Sequence, residues 1–222
     1  MSEQQLHVAF DIGNVLAEVD MSHFIARLRG VLSGQNKSHL LDPERFLEQL
    51  QASQDLGILT VRQALSQTYN ISGEAAEELI PEWNKTVKPN EMMLNFMDNL
   101  RSEGVKIALL SNIGHDHAEY LKQSCPRMFA GCTEHLSFEV GARKPTKMYY
   151  QSFLMDHEEW LGAIYCDDKP ENLRAGKQYS FKSFKFCLDE VLKWPLSKQR
   201  RELDKIHSYI FNRKYDAVPG DF

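Results

Sequence analysis

Near the N-terminus the chain reads Val8-Ala9-Phe10-Asp11-Ile12-Gly13-Asn14-Val15-Leu16, an apolar run that ends on a carboxylate and turns at once through Gly-Asn. A buried parallel strand carries whatever follows it to the crevice at the carboxyl edge of an open α/β sheet. An aspartate delivered there is a metal ligand, a nucleophile, or a structural group capping the turn at Gly13-Asn14. Three later segments have the same form in a fixed order: Leu109-Leu110-Ser111-Asn112, Arg143-Lys144-Pro145 and Ile164-Tyr165-Cys166-Asp167-Asp168. The set points to phosphoryl transfer more strongly than any member does alone.

The pattern between these segments supports an α/β architecture. A strand over Leu6–Phe10 is followed by a long helical region. Phe24, Ile25, Leu28, Val31 and Leu32 repeat at helical spacing after Ser22. Asp42-Pro43-Glu44 reads as an N-cap followed by proline at the first helical position, with Phe46, Leu47 and Leu50 on one face. Thr60 can cap a third helix through Val61, Ala64 and Leu65. Ser72 or Gly73 starts a fourth through Ala76, Leu79 and Ile80. Four short helices in a row predict a helical insert after the first strand.

Asn90 then opens a helix that Gly104 closes. Strands are predicted at Val105–Leu110, His135–Val140, Ala163–Cys166 and Phe181–Phe186, with helices at His115–Lys122, Lys147–Met155 and Pro170–Lys177 between them. This alternation predicts a doubly wound parallel sheet, Rossmann-like in outline. The division is a core of residues 1–20 and 89–222 around a helical subdomain of residues 21–88. Residues 197–215 read as a basic amphipathic helix with Leu203, Ile206, Ile210 and Phe211 inward. Glu202 and Asp204 interrupt its charge, so it predicts a packed C-terminal helix or a homodimer contact rather than a nucleic-acid arm.

Composition narrows the partners. The 222 residues carry a net charge of −5 with acids and bases well mixed, which argues against nucleic acid as a generic partner. No apolar run reaches the roughly 20 residues that span a bilayer, so no membrane partner is expected. Met1–Gln5 lacks the basic and apolar regions of a signal peptide. Cys125, Cys132, Cys166 and Cys187 have neither CxxC nor zinc-like spacing and read as reduced thiols, which suggests a cytoplasmic protein.

The candidate residues carry chemistry in combination. Asp11 can attack phosphorus and split one hard step into two easier ones. Asp167 and Asp168 repel each other, and Mg²⁺ with its hard-oxygen preference is the usual offset; otherwise one acid faces solvent and the other caps a helix. Ser111-Asn112 offers a hydroxyl and backbone N–H groups for phosphate oxygens, or is an ordinary polar turn. Lys144 is a point charge that offsets Asp11 and an incoming phosphate, or a surface lysine. His115-Asp116-His117 reads as a solvated helix end, although His115 lies near enough in sequence to Ser111 to stand in as a proton shuttle. His23, Arg27 and Arg45 fall in the insert, where they could meet a leaving group. Trp83 and Trp160 read as packing residues.

From Val8 to Gly176 the chain resembles the haloacid dehalogenase-like (HAD) superfamily, most of whose members are Mg²⁺-dependent phosphatases. Its four motifs match Phe-Asp11-Ile-Gly-Asn-Val, Leu-Leu-Ser111-Asn, Arg-Lys144-Pro and Cys-Asp167-Asp168-Lys-Pro-Glu-Asn172, in order. Gly57-Ile58-Leu59-Thr60 and the stretch Pro89-Asn90 to Gly104 also look familiar, and an insert between the first two motifs resembles a C1 cap.

The resemblance implies a small phosphorylated metabolite as substrate, hydrolysed with Mg²⁺ through an aspartyl-phosphate. Asp11 is then the nucleophile and a metal ligand, the Gly13 carbonyl a second ligand, and Asp168 and Asp167 the acidic side of the metal site, with Asp168 preferred as the inner ligand. Ser111, Asn112 and Asn14 bind the phosphoryl group, and Lys144 orients Asp11.

One position departs from the family. A second aspartate usually stands two residues after the nucleophile and moves the proton; here it is Gly13. General acid–base help is worth about 10²–10⁴-fold in rate, or roughly 3–5 kcal/mol of barrier. One reading places the chain in the Asp-x-Gly-Asn-Val branch, which includes bacterial glucose-1-phosphate phosphatases, with another group filling the gap. A second is an impaired enzyme with a binding or regulatory role. A third is a haloacid dehalogenase, in which Asp11 displaces halide at carbon. That chemistry needs no metal, and paired acids without a cation would weaken its nucleophile.

Overall fold

The computed structural model describes residues 5–35 and 43–211, and for residues 43–47 the backbone alone. The proposed cap at Asp42, the side chains of Arg45, Phe46 and Leu47, and the tail beyond Phe211 lie outside the described residues.

The chain starts with β1 (His7–Phe10) and a short β2 (Ala17–Val19). Four helices follow: α1 (Ser22–Gly34), α2 (Pro43–Asp55), α3 (Val61–Tyr69) and α4 (Glu74–Asn84). The chain returns through β3 (Val87–Pro89), which pairs antiparallel with β2. The two strands form a stem at the junction of insert and sheet. They are too short, at three residues each, to show an alternation in the sequence.

The remainder alternates. It runs through α5 (Glu91–Ser102), β4 (Lys106–Ser111), α6 (His115–Ser124), α7 (Pro126–Phe129), β5 (Thr133–Leu136) and α8 (Ser137–Val140). It continues through α9 (Lys147–Asp156), β6 (Ile164–Asp167), α10 (Pro170–Lys177), β7 (Lys182–Lys185), α11 (Leu188–Val191) and α12 (Leu196–Phe211). The strands form one sheet in the order β5-β4-β1-β6-β7, every pairing parallel. This is a doubly wound α/β fold, as the alternation predicts.

Burial explains why the strands read as unbroken apolar runs. Successive residues point to opposite faces, and helices cover both. Val8, Phe10, Ile107, Leu109 and Cys166 pack on one face against α5, α6 and α12. Ala9, Ala108, Leu110 and Tyr165 pack on the other against Tyr149, Tyr150 and Phe153 of α9. Ile206 and Ile210 of α12 are buried in the first cluster, with Leu203 and Phe211 packed beside them, so the tail is a packed helix over its described length. The insert has its own core of Phe24, Leu28, Leu32, Leu50, Leu65, Leu79 and Trp83.

Local signals act where expected. Thr60 and Gln63 form a reciprocal capping box, and the Asn90 side chain accepts from the backbone N–H groups of Met92 and Met93. The expected strand His135–Val140 is corrected. It ends at Leu136, opposite Ser111, and Ser137–Val140 is a helical turn stopped by Gly141 in the left-handed region (φ 63°). Trp160 packs against His7 and Phe153, as a packing residue should.

Candidate active site

Register brings the motif residues together. β1 lies between β4 and β6, so the residues that follow its end meet the ends of both neighbours. Asp11 N–H donates to the Cys166 carbonyl at 2.9 Å, continuing the ladder one step past β1. Its side chain is 10% exposed. The Ser111 hydroxyl donates to Asp11 Oδ1 at 2.7 Å, Ile12 N–H donates to the same oxygen at 2.7 Å, and Lys144 Nζ lies 3.0 Å from Oδ2.

Lys144 is fully enclosed. Its Nζ donates to the Leu110 carbonyl and to Asp167 Oδ2, both at 2.7 Å. Burial works against its charge, but Asp11 and Asp167 more than offset that and hold its pKa above the ordinary value. Asn112 fixes the loop that carries it: Asn112 Nδ2 donates to the Lys144 carbonyl at 2.9 Å, and Lys144 N–H donates to Asn112 Oδ1 at 2.8 Å. The Asn112 side chain is thus engaged with the lysine loop while the residue still lines the cleft over Asp11.

The two adjacent acids differ sharply. Asp167 accepts from Lys144 Nζ, from the Tyr165 hydroxyl, from Lys169 N–H at 2.8 Å and from Asn172 Nδ2 at 3.0 and 3.1 Å. Burial opposes its ionised form, yet Lys144 and these donors hold its pKa below the ordinary value. Asp168 Oδ1 is buried with no hydrogen-bond partner among the described residues, as is Asn14 Oδ1. Burial, and then Asp167, push the Asp168 carboxyl up. Burial likewise pushes Asp11 up to about 7; Lys144 opposes the shift and Asp167 adds to it.

Asp11, Asp167 and Asp168 each place a carboxylate oxygen within 4.8 Å of the others. An oxygen-rich set with an unsatisfied carboxylate oxygen and destabilised anions fits a hard divalent cation. Asp11 and Asp168 are the members with capacity left for it.

No protein-family model and no curated relative matches the chain. Solved structures do. A HAD family enzyme from Bacteroides thetaiotaomicron in its magnesium complex superposes with a TM-score of 0.70 at 17% identity, over 90% of this chain and 100% of that one. The same enzyme has been crystallised with magnesium and inorganic phosphate. A HAD phosphatase from Thermococcus onnurineus gives 0.57 at 14% identity, over 81% and 85% of the two chains. L-2-haloacid dehalogenase from Xanthobacter autotrophicus gives 0.54 at 14% identity, over 97% and 92%. The chain has the HAD-like fold. That fold serves both phosphorus and carbon chemistry, so the side chains decide the reaction.

In this HAD-like fold the insert closes over Asp11. A cleft of about 190 Å³ is lined by Asp11, Gly13, Asn14, Ser111, Asn112 and Asp168 from the sheet side, and by Gln51, Gln54 and Asp55 of α2 from above. Glycines permit the approach. A Cβ on Gly114 would meet Gln54 Cβ at 2.6 Å, and one on Gly57 would meet the Phe138 carbonyl oxygen at 2.6 Å. Asp116 accepts from Gln54 Nε2 at 2.7 Å and from Val61 N–H at 2.8 Å, so a sheet-side acid caps an insert helix. Arg143 Nη2 lies 3.0 Å from Asp55 Oδ2.

Several candidates fall elsewhere. His115 is exposed and packs edge-on against Phe138, and it does not line the cleft. His117, expected on a solvated helix end, is buried instead. It stacks on Trp83, and its Nε2 lies 2.9 Å from the Trp83 carbonyl and 3.1 Å from Thr86 Oγ1. Packing of α6 against α4 overrides the polar look of the sequence. His23 and Arg27 pair with Glu82 and Glu78 away from the cleft. Trp83 packs in the insert core and also lines the cleft. Gln51, Gln54 and Asp55 form no motif, and nothing in their spacing marks them as cleft residues. Tyr165 could have been noticed as the residue two before Asp167, on the same face of its strand.

Proposed function

We propose that the chain is a Mg²⁺-dependent phosphatase that hydrolyses a small phosphomonoester, a sugar phosphate or a nucleotide, through an aspartyl-phosphate on Asp11. The observation that carries this reading is the Asp11 carboxylate at the end of β1, gripped by Ser111 and Lys144 and facing a cleft it shares with Asp168. Residues 21–88 act as a C1 cap over a core of residues 1–20 and 89–222. The magnesium and phosphate bound by the structurally similar Bacteroides enzyme support the same chemistry.

Mg²⁺ would be held by the carboxylates of Asp11 and Asp168 and the carbonyl of Gly13, with Asp167 acting through Lys144. When bound it supplies positive charge against the nucleophile and the phosphoryl oxygens. The chain's own residues do the rest. Asp11 attacks phosphorus; Lys144 favours its ionised form and aims it; the Ser111 hydroxyl, Asn14 and the backbone N–H of Asn112 take phosphoryl oxygens. The work is positioning and electrostatics, as phosphoryl transfer requires. Closure of the cap over the cleft excludes water while the ester is cleaved.

The dehalogenase reading is weaker because the unpartnered Asp168 oxygen beside Asp11 would only oppose a metal-free nucleophile. A silent pocket kept for binding has no use for a lysine buried against two carboxylates. The test is phosphate release from a panel of phosphomonoesters with Mg²⁺ and with EDTA. Turnover that EDTA abolishes supports the reading; no release from any ester overturns it in favour of a binding role.

A further inference from the structure

Gly13 leaves the nucleophile loop without a proton carrier, so a phosphatase built this way must take one from another element. The cleft offers few titratable groups among the described residues: Asp11, Asp55, His117, Asp168 and Lys169. Asp11 and Asp168 are the carboxylates that would hold Mg²⁺. His117 is fixed between Trp83 and Thr86, and burial pushes its pKa down to about 4, so it is neutral and engaged. Lys169 is a cation in a loop next to the metal acids. Asp55 remains.

Asp55 ends α2, the helix laid over the cleft, and its side chain is 11% exposed. Its position is fixed from both sides. One residue earlier, Gln54 is seated on Gly114 and held by Asp116. On its own side chain, Arg143 Nη2 lies 3.0 Å from Oδ2. The Arg143 that orients it precedes Lys144, so one loop grips the nucleophile and the cap carboxylate together.

We propose that Asp55 is the general acid–base of this enzyme, supplied by the cap in place of a side chain at position 13; the inference rests on the phosphatase reading above. In the first step an Asp11 oxygen bonds to phosphorus, the bond from phosphorus to the ester oxygen breaks, and that oxygen takes the proton of the Asp55 carboxylic acid. In the second, the Asp55 carboxylate removes a proton from water, the water oxygen bonds to phosphorus and the bond to Asp11 breaks. Inorganic phosphate leaves, and Asp11 and protonated Asp55 are restored.

The electrostatics suit both roles. Burial raises the Asp55 carboxyl to about 6, against the pull of Arg143, which pairs with it, and of the charges of Lys169 and Lys144. Both protonation states are then accessible near neutrality.

The experiment compares wild type, Asp55→Asn and Asp55→Glu on phenyl phosphate, whose leaving oxygen needs a proton, and nitrophenyl phosphate, whose leaving oxygen does not. Asp55→Asn is expected to lower kcat on phenyl phosphate by about 10²–10⁴-fold. On nitrophenyl phosphate it should give a rapid burst of about one equivalent of nitrophenolate and then slow turnover, as the phosphoenzyme accumulates. Asp55→Glu should recover part of the phenyl phosphate rate, and Arg143→Gln should move the limb of the pH–rate profile near 6 to higher pH. Unchanged turnover in Asp55→Asn overturns the proposal. So does an equal loss on both esters without a burst, the mark of a structural residue. A wild type inactive on both esters with Mg²⁺ overturns the phosphatase reading itself, an outcome distinct from an active wild type indifferent to Asp55.

Discussion

Lys144 Nζ lies 2.7 Å from Asp167 Oδ2, and neither side chain is exposed to solvent. The pair separates the roles of two adjacent acids. Asp167 spends its oxygens on the lysine and three further donors, and Asp168 keeps one buried oxygen without a partner among the described residues. Lys144 in turn reaches Asp11 at 3.0 Å, so a single ammonium couples the acidic pair after β6 to the aspartate after β1.

Removing that ammonium should unsettle the fold as well as the chemistry. Losing one partner of a buried ion pair typically destabilises by about 3–5 kcal/mol, because the other charge is left uncompensated. Lys144→Met is expected to fall in that range by urea titration at neutral pH. A loss below about 1 kcal/mol would mean that solvent reaches the pair more freely than its burial implies.

His117 should make the protein acid-sensitive. Its folded pKa is depressed to about 4, chiefly by burial, from an ordinary value of 6.5. Between those values the unfolded chain binds the proton that the folded chain refuses. The contribution is therefore complete above pH 6.5 and is lost as pH falls toward 4, by about 3 kcal/mol in all. Urea titrations of wild type and His117→Gln should show a stability difference that shrinks over this interval. A difference independent of pH would contradict the buried, neutral imidazole.

Much of this was legible in the sequence, for definite reasons. β1, β4 and β6 are covered on both faces, so they read as apolar runs, and Asp11, Ser111 and Asp167 stand at the ends of those runs. Thr60 and Asn90 act through local hydrogen bonds that sequence spacing shows directly. What was hidden depends on tertiary approach. His117 looks solvated until α4 packs over it, and Asp55 is one more acid on a helix until α2 docks over the cleft. The strand expected over His135–Val140 failed because a helical turn follows Leu136 without a proline to mark it.

Position 13 offers a gain-of-function test. A Cβ there would sit 3.5 Å from Val19 Cγ2, an ordinary contact, so Gly13→Asp fits the loop. With Asp55 already carrying the proton, Gly13→Asp alone should raise phenyl phosphate turnover less than about tenfold, while in Asp55→Asn it should restore much of the roughly 10²–10⁴-fold loss. A large gain in the otherwise unaltered chain would show that no residue had filled the gap.

The most direct measurement is a rapid acid quench of the chain mixed with radiolabelled phenyl phosphate and Mg²⁺, with Asp11→Asn in parallel. Hydroxylamine-labile label on the wild type and none on a folded Asp11→Asn is the expected result, since an acyl phosphate can form only on the carboxylate. Equal label on both proteins, or phosphate release by Asp11→Asn at the wild-type rate, would contradict Asp11 as the nucleophile.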